Sequence, residues 1–285
     1  MTSTQAQIDE SYSVSNEFFA LWLDKNMHYT SAVWDWNNPY DTLEAAQERK
    51  VQRLYRFAEL DHTKTALDIG CGWGSAMDVI ARQGIKEVHG ITLSTEQKAW
   101  CDAREIPNAK VWLQDYALYE PAEKYDGLVS IEMIDHLCSP AQQREGKAVE
   151  IYRRYFSKLA SWVEPGSCFG FQAILRNKIP RARKDLEDLA FTADVIFPGG
   201  LNPRIEEIIQ AVSPKWEIEE MHMMRRDYMR TTQEWYDRFL AHEDVIRKTW
   251  GDRVFEDYDR YLGLCPRAFK NHWSGDVQFK LRRIG

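Results

Sequence analysis

Apolar residues in this chain change their period several times, and each change marks an element. Leu43, Ala46, Val51, Leu54 and Phe57 recur at helical steps, with Asp41 or Thr42 where an N-cap is wanted. Ala66, Leu67 and Ile69 make a strand-length apolar run. Gly70, Gly72 and Gly74 follow at once, and then a helix-compatible run of Ala76, Met77, Val79, Ile80 and Ala81. This is strand, tight turn, helix, the opening of a βαβ unit. Further strand patterns span Val88 to Ser94, Lys110 to Tyr116, Tyr125 to Ile131, Cys168 to Ile174 and Val277 to Leu281. Ser94 with Gln97 three residues on reads as a capping box. A helix through Tyr152, Tyr155, Phe156, Leu159 and Trp162 is expected to stop at Glu164-Pro165-Gly166. Asn16 to Asp24, Arg176 to Ala193 and Tyr258 to Leu264 read as helical, and residues up to about Glu10 as a loose tail. Strands alternating with helices predict an α/β fold with a doubly wound, mostly parallel sheet.

At 285 residues the chain has room for one large α/β domain with an appended cap. Its net charge of −7 argues against general nucleic-acid binding, which needs a basic face. The 11 Trp, 13 Tyr and 12 Phe fill a large core and leave rings to spare for a pocket wall. Tyr12, Tyr29, Trp34 and Trp36 are candidates for that wall, with plain core packing the competing role. Five cysteines without a C-x-x-C pair fit a reducing compartment. No apolar run approaches the ~20 residues of a membrane span, and no signal peptide is visible, so a cytoplasmic location without a stable membrane anchor is expected. No H-x-x-x-H, Cys/His cluster or EF-hand spacing calls for a metal. The sequence is silent on oligomeric state and leaves a homo-oligomer open.

The glycine turn fixes the cofactor. Glycine permits positive φ and close approach of a ligand to backbone N–H groups at a helix start. The order is Asp68-x-Gly70-x-Gly72-x-Gly74, which is neither a G-x-G-x-x-G nor a P-loop. It resembles motif I of class I S-adenosylmethionine-dependent methyltransferases. The longer string Leu67-Asp68-Ile69-Gly70-Cys71-Gly72-Trp73-Gly74 resembles the cyclopropane-fatty-acid synthase and mycolic-acid methyltransferase family. Thr92-Leu93-Ser94 with Gln97, the turn Phe197-Pro198-Gly199-Gly200, and Tyr228 with Thr231 also resemble that family, so the likeness runs from about Ser11 to Leu281.

The resemblance implies a Rossmann-like, mostly parallel seven-stranded sheet with helices on both faces, an N-terminal helical cover and a helical cap insertion. The expected parts are a cover over 1–60, a cofactor-binding core over 61–175, a cap over 176–235 and the rest of the core over 236–285. It implies that Tyr29, Thr30, Asp68, Gly70, Gly72, Gly74, Thr92, Gln97, Asp115, Tyr116 and Ile131 contact S-adenosylmethionine.

Glu132, Asp135 and His136 put three titratable groups in five residues at the end of the fourth strand, where open α/β sheets bind ligands. His136 is a candidate general base oriented by a carboxylate. Capping and hydrogen bonding to the cover are the structural alternative. In cyclopropane synthases a bicarbonate held by Cys, Glu, His and Tyr, with an Ile backbone contact, is thought to act as base. The matching positions here are Ser31, Asp135, Gln172, Tyr228 and Ile131. The Glu132-Met133-x-Asp135-His136 string resembles the plant benzylisoquinoline N-methyltransferases, which carry Glu where cyclopropane synthases carry Gly. There the residues matching Glu132, Asp135 and His136 bind the amine and assist deprotonation. Tyr228 is thus a catalytic and substrate-binding candidate, with Ser31 and Gln172 beside the substrate.

Three functions are compatible with these residues, the first being the expected one and the second its alternative. The first is methylation of a nitrogen or electron-rich carbon on a hydrophobic small molecule. The second is modification of an acyl-chain double bond, as in the cyclopropane and mycolic-acid synthases. The third is a cofactor-binding fold that transfers no methyl.

Overall fold

The structure is a computed structural model that describes residues 14–285. The expected tail and Tyr12 lie outside the described residues. The chain begins with α1 (Asn16–Ala20) and α2 (Leu43–Phe57), which form the cover. Thr42 caps α2, its side chain accepting from the Ala45 N–H at 3.2 Å. The core then alternates β1 (Thr65–Ile69), α3 (Ser75–Arg82), β2 (Glu87–Thr92), α4 (Thr95–Ala103), β3 (Ala109–Leu113) and β4 (Tyr125–Ile131). A 3-10 turn at Ile134–His136, α5 (Pro140–Arg144), α6 (Ala148–Ser161) and β5 (Val163–Arg176) follow. Next come α7 (Arg183–Phe191), a π turn at Thr192–Ile196, α8 (Ile205–Val212) and β6 (Trp216–Met223). The chain ends with α9 (Arg225–Leu240), α10 (Glu243–Trp250), α11 (Asp252–Lys270) and β7 (Ser274–Arg283).

The seven strands lie in the order β3-β2-β1-β4-β5-β7-β6. The first five are parallel, while β7 runs antiparallel to both β5 and β6. Parallel strands buried on both faces explain the continuous apolar runs that announced β1 and β4. The helical cover and the later helices build a second, aromatic core around Phe18, Phe19, Trp22, Trp235, Phe239 and Tyr258.

Two expectations change. Glu164-Pro165-Gly166 does not separate α6 from the fifth strand. Val163 already pairs with Tyr125, and the three residues form an irregular shift before Cys168 pairs with Gly127. Ser94 does cap α4, accepting from the Gln97 N–H at 3.3 Å, but the Gln97 side chain does not reach back to complete the box. Its Oε1 instead accepts from the Thr92 hydroxyl at 2.9 Å, which ties the end of β2 to α4.

Two glycines set how closely the cover sits on the sheet. A Cβ on Gly170 in β5 would lie 2.5 Å from the Leu54 carbonyl oxygen of α2. A Cβ on Gly127 in β4 would lie 2.7 Å from the Ala58 carbonyl oxygen just after α2. Bare backbone on both strands lets α2 lie directly against them.

Candidate functional site

A cavity of about 610 Å³ opens where β1, β2, β4 and β5 end at their C-terminal edges. Its lining includes Tyr29, Thr30, Asp68, Gly70, Gly72, Thr92, Gln97, Tyr116, Ile131, Glu132, Asp135, His136 and Tyr228. These thirteen sequence candidates come from six separate stretches of chain. Gly74, Asp115, Ser31 and Gln172 stand behind the lining. Gly74 caps α3 at φ 72, and a side chain there would strike Ile106 and Cys101. Asp115 accepts from the Ala117 N–H at 2.8 Å and organises the turn that begins at Tyr116.

The glycine turn fits a nucleoside-like cofactor. Gly72 has φ 55, and a Cβ there would have nothing nearer than Gln97 Nε2 at 3.9 Å, so the turn leaves bare backbone at the cavity wall. Asp68, Thr92 and Gln97 supply polar groups at the ends of β1 and β2, and Tyr116 supplies a ring. Burial raises Asp68 to about 7, with Lys50 the opposing influence. Lys50 itself is fully buried, donates to the Thr30 hydroxyl at 2.6 Å, and is lowered to about 8 by desolvation. It is a cation placed among Glu132, Asp24, Asp276 and Asp68.

Glu132 is the centre of the other half. It follows β4 at φ 52, a left-handed backbone that costs a non-glycine residue roughly 1–2 kcal/mol. Three donors hold its carboxylate there. Tyr228 donates to Oε2 at 2.7 Å, while Gln172 and the Ser31 N–H donate to Oε1 at 2.7 and 3.1 Å. Desolvation raises it to about 7, against the lowering effect of Tyr228, Ser31, Gln172 and Lys50.

The donors are themselves fixed from behind. Gln172 and Gln278 face each other across β5 and β7, and Gln278 Nε2 donates to Gln172 Oε1 at 2.7 Å. Arg53 on α2 donates to Gln278 Oε1 at 2.5 Å. An arginine has no acceptor, so it sets which end of each amide faces which way. The chain Arg53, Gln278, Gln172, Glu132 therefore delivers an N–H to the carboxylate.

The cluster read from sequence divides. His136 Nε2 lies 3.6 Å from Asp135 Oδ2, and its ring makes no hydrogen bond to Glu132. Burial raises Asp135, with His136 opposing. The Asp135 carbonyl oxygen accepts from the Leu201 N–H at 2.8 Å, and a Cβ on Gly200 would lie 3.2 Å from it. The Phe197–Gly200 turn thus docks on the Asp135 backbone and brings the cap over the site.

The aromatic wall also differs. Tyr29 lines the cavity, donating to the Tyr261 hydroxyl at 3.0 Å, but Trp34 and Trp36 do not. Trp34 is buried in the aromatic core, its indole N–H donating to the Asp227 carbonyl oxygen and the Thr231 hydroxyl at 3.1 Å, with Arg230 stacked on its ring at 3.9 Å, whereas Trp36 is exposed under Arg226 at 4.4 Å. Phe197, Trp235, Tyr261, Phe269 and Trp273 line the cavity instead. Lys50, Arg53, Asp276 and Gln278 escaped the sequence reading, because each is a single residue on an element whose partners lie far away in the chain. Asp276 is buried, and desolvation together with the Glu132 charge pushes its carboxyl well up. A third acidic group, Glu59 with Glu219 near Cys168, is bridged by Lys280 at 2.7 and 2.8 Å.

The sheet order, the glycine turn at the end of β1 and the polar ends of β2 and β4 define the class of S-adenosylmethionine-dependent methyltransferases. Within it, the chain belongs to the mycolic acid cyclopropane synthetase family, whose profile matches residues 1–279. The chain is 30% identical over 270 residues to the cyclopropane-fatty-acyl-phospholipid synthase of Escherichia coli K12, covering 94% of this chain and 65% of that enzyme. It spans less than two thirds of that relative. It is also 30% identical over 288 residues to cyclopropane mycolic acid synthase 2 of Mycobacterium tuberculosis, covering 95% and 92%. The cyclopropane synthase MmaA2 from Mycobacterium tuberculosis superposes with a TM-score of 0.88 at 25% identity over 99% of both chains. No helix among the described residues is long and apolar enough to cross a membrane.

Proposed function

We propose that the chain transfers the methyl group of S-adenosylmethionine to a double-bond carbon of an apolar, acyl-type acceptor, and that Glu132 takes up the proton released. One observation carries this reading: a buried carboxylate near neutrality stands in the wall of a largely apolar cavity and is gripped by three donors. Asp68, Gly70, Gly72, Thr92, Gln97 and Tyr116 would hold the cofactor. When bound it supplies an electrophilic methyl carbon. Attack by an alkene breaks the carbon–sulfur bond, forms a carbon–carbon bond and leaves positive charge on the neighbouring carbon. The rings of Tyr228, Trp235 and Phe269 and the Glu132 charge stabilise such a cation. When Glu132 takes a proton, the C–H electron pair closes a ring or makes a new double bond. The names of the relatives support the acyl acceptor.

A second reading, methylation of an amine or an electron-rich aromatic carbon, is favoured by Glu132 itself. Tyr228, Gln172 and Ser31, which match bicarbonate-holding positions, all donate to this side chain, so the base is part of the chain. A bound ammonium would lose its proton to the same group. The two are separated by supplying cofactor labelled with carbon-13 at the methyl, with an unsaturated acyl lipid or a hydrophobic amine, and reading the product by NMR. A labelled ring methylene or C-methyl supports the first reading. An N-methyl alone replaces it with the second. No S-adenosylhomocysteine with either acceptor removes both.

A further inference from the structure

A buried cation in the cavity wall lacks a counter-ion. Lys50 on α2 is fully buried and belongs to the lining of the cavity. It carries three N–H groups and directs one at the Thr30 hydroxyl, at 2.6 Å. Asp24, Asp68, Asp276 and Glu132 all feel its charge, yet among the described residues none forms an ion pair with it. Asp24 is taken by His28 at 3.0 Å, and Glu132 by its own three donors. A buried charge without a counter-ion is costly. Burial lowers Lys50 only to about 8, so it stays cationic at neutral pH. An ammonium can only donate, so Thr30 Oγ1 accepts and its own proton points elsewhere. Among the described residues that proton has no acceptor, and Thr30 lines the cavity. Gln47, one turn earlier on α2 and equally buried, donates to the Thr30 carbonyl oxygen at 2.8 Å. Both polar groups of Thr30 are thus fixed from a helix that lies directly on the sheet. Ser75 at the start of α3 donates to the Met27 carbonyl oxygen at 3.1 Å, which holds the same segment over the glycine turn.

We infer that Lys50 is a positioning residue for the cofactor: through Thr30 it turns a hydroxyl proton and a positive field toward the carboxylate of the methionine end. Tyr116 after β3 and Thr92 at the end of β2 offer a ring and a hydroxyl to the nucleoside half. In the strand order β3-β2-β1-β4 this leaves the end of β1, beneath the Thr30 segment, to the amino-acid half. The carboxylate is the counter-ion that Lys50 lacks. The Thr30 O–H donates to it, and the ammonium behind polarises that hydroxyl, so the bond gains strength from a charge it does not touch. Anchoring the amino-acid end opposite the nucleoside fixes the methyl-bearing sulfur between two points.

The test is calorimetric binding to the full chain of three ligands. They are S-adenosylhomocysteine, its decarboxylated analogue with a thiopropylamine arm, and 5′-methylthioadenosine, which has no amino-acid arm. The parent is expected to bind S-adenosylhomocysteine at least about tenfold more tightly than the decarboxylated analogue. Lys50→Met and Thr30→Val should each lose most of that preference, and Thr30→Ser should keep it. The double variant Lys50→Met with Thr30→Val should lose no more than either single one, because the two residues act as one unit. Affinity for 5′-methylthioadenosine should stay the same throughout. An unchanged preference in Lys50→Met overturns the inference, and losses that add in the double variant overturn the route through Thr30. A fall in 5′-methylthioadenosine affinity as large as that for S-adenosylhomocysteine reduces Lys50 to a structural role and overturns it too. Should Lys50→Met fail to fold, the contrast between Thr30→Val and Thr30→Ser decides: equal preference in the two overturns the inference.

Discussion

The Tyr228 hydroxyl donates to the Glu132 carboxylate at 2.7 Å, joining α9 to the end of β4 across 96 residues of sequence. The phenol is itself pushed well above its ordinary range by burial and by the Glu132 charge, so it remains a donor at any pH the protein meets. A carboxylate in a dry pocket needs such donors, since an unpaired buried charge is costly.

Removing the carboxylate while keeping its donors gives the sharpest test. Glu132→Gly also relieves the left-handed backbone at φ 52, so the variant is expected to fold at least as stably as the parent. Its turnover should fall by about a hundredfold or more, within the usual range for loss of a general base. Added bicarbonate, formate or acetate should restore part of the rate, because Tyr228, Gln172 and the Ser31 N–H still point at the vacated volume. Full activity in the variant, measured as S-adenosylhomocysteine release, would refute the role of Glu132.

The pH dependence follows from the raised carboxyl. Glu132 goes from 4.5 to about 7 on burial, so its basic form is lost as pH falls below about 7. Turnover at saturating cofactor should therefore rise with pH through about 7. Stability runs the other way. The folded state binds the proton more tightly, so this group's contribution is full below 4.5 and fades as pH rises through about 7. Lys50→Met removes the buried cation that opposes both the Glu132 and Asp68 shifts. The kinetic limb and the pH dependence of cofactor affinity should both move to higher pH, read respectively from kcat profiles and calorimetry.

Arg53 never touches the cavity, yet it should tune the base. Arg53→Leu frees Gln278 and Gln172 to turn over, presenting a carbonyl oxygen where Glu132 now receives an N–H. The kcat limb is expected to shift upward in pH, with affinity for S-adenosylhomocysteine unchanged. Arg53→Lys keeps a donor and should restore most of the profile, which a loss of packing alone would not predict.

Gly170→Ala should destabilise the fold by about 1–3 kcal/mol, as overpacking does in a close-packed interior. A methyl 2.5 Å from the Leu54 carbonyl oxygen cannot be accommodated by turning a side chain. Urea unfolding gives the value, and an unchanged midpoint would show that α2 can yield.

The sequence carried the parts of the site that lie close together along the chain. Asp68 to Gly74, Thr92 with Gln97, and Glu132 to His136 each sit at a strand end, where periodicity breaks and polar residues appear. It could not show that Glu132 turns toward Tyr228 and away from His136, because that depends on a backbone torsion and on β7 being antiparallel. Arg53 and Gln278 looked like ordinary polar positions on a helix and a strand. Only the β5–β7 register places Gln278 against Gln172. Trp34 and Trp36 show what a ring count leaves open: Trp34 takes the competing role of core packing, and Trp36 lies exposed beneath Arg226.

Gly127 and Gly170 have a consequence for traffic. With no side chain between α2 and the two strands beneath it, the helical cover is bolted down, and hinging it open would break the Arg53 relay as well. The opposite flank is held as well: Asp188 bridges Arg260 and Arg267 at 2.8 and 2.9 Å, and Phe197 packs on Tyr29 and Tyr261. Traffic to the cavity therefore does not run between α2 and the sheet, where helix backbone lies directly on strand backbone.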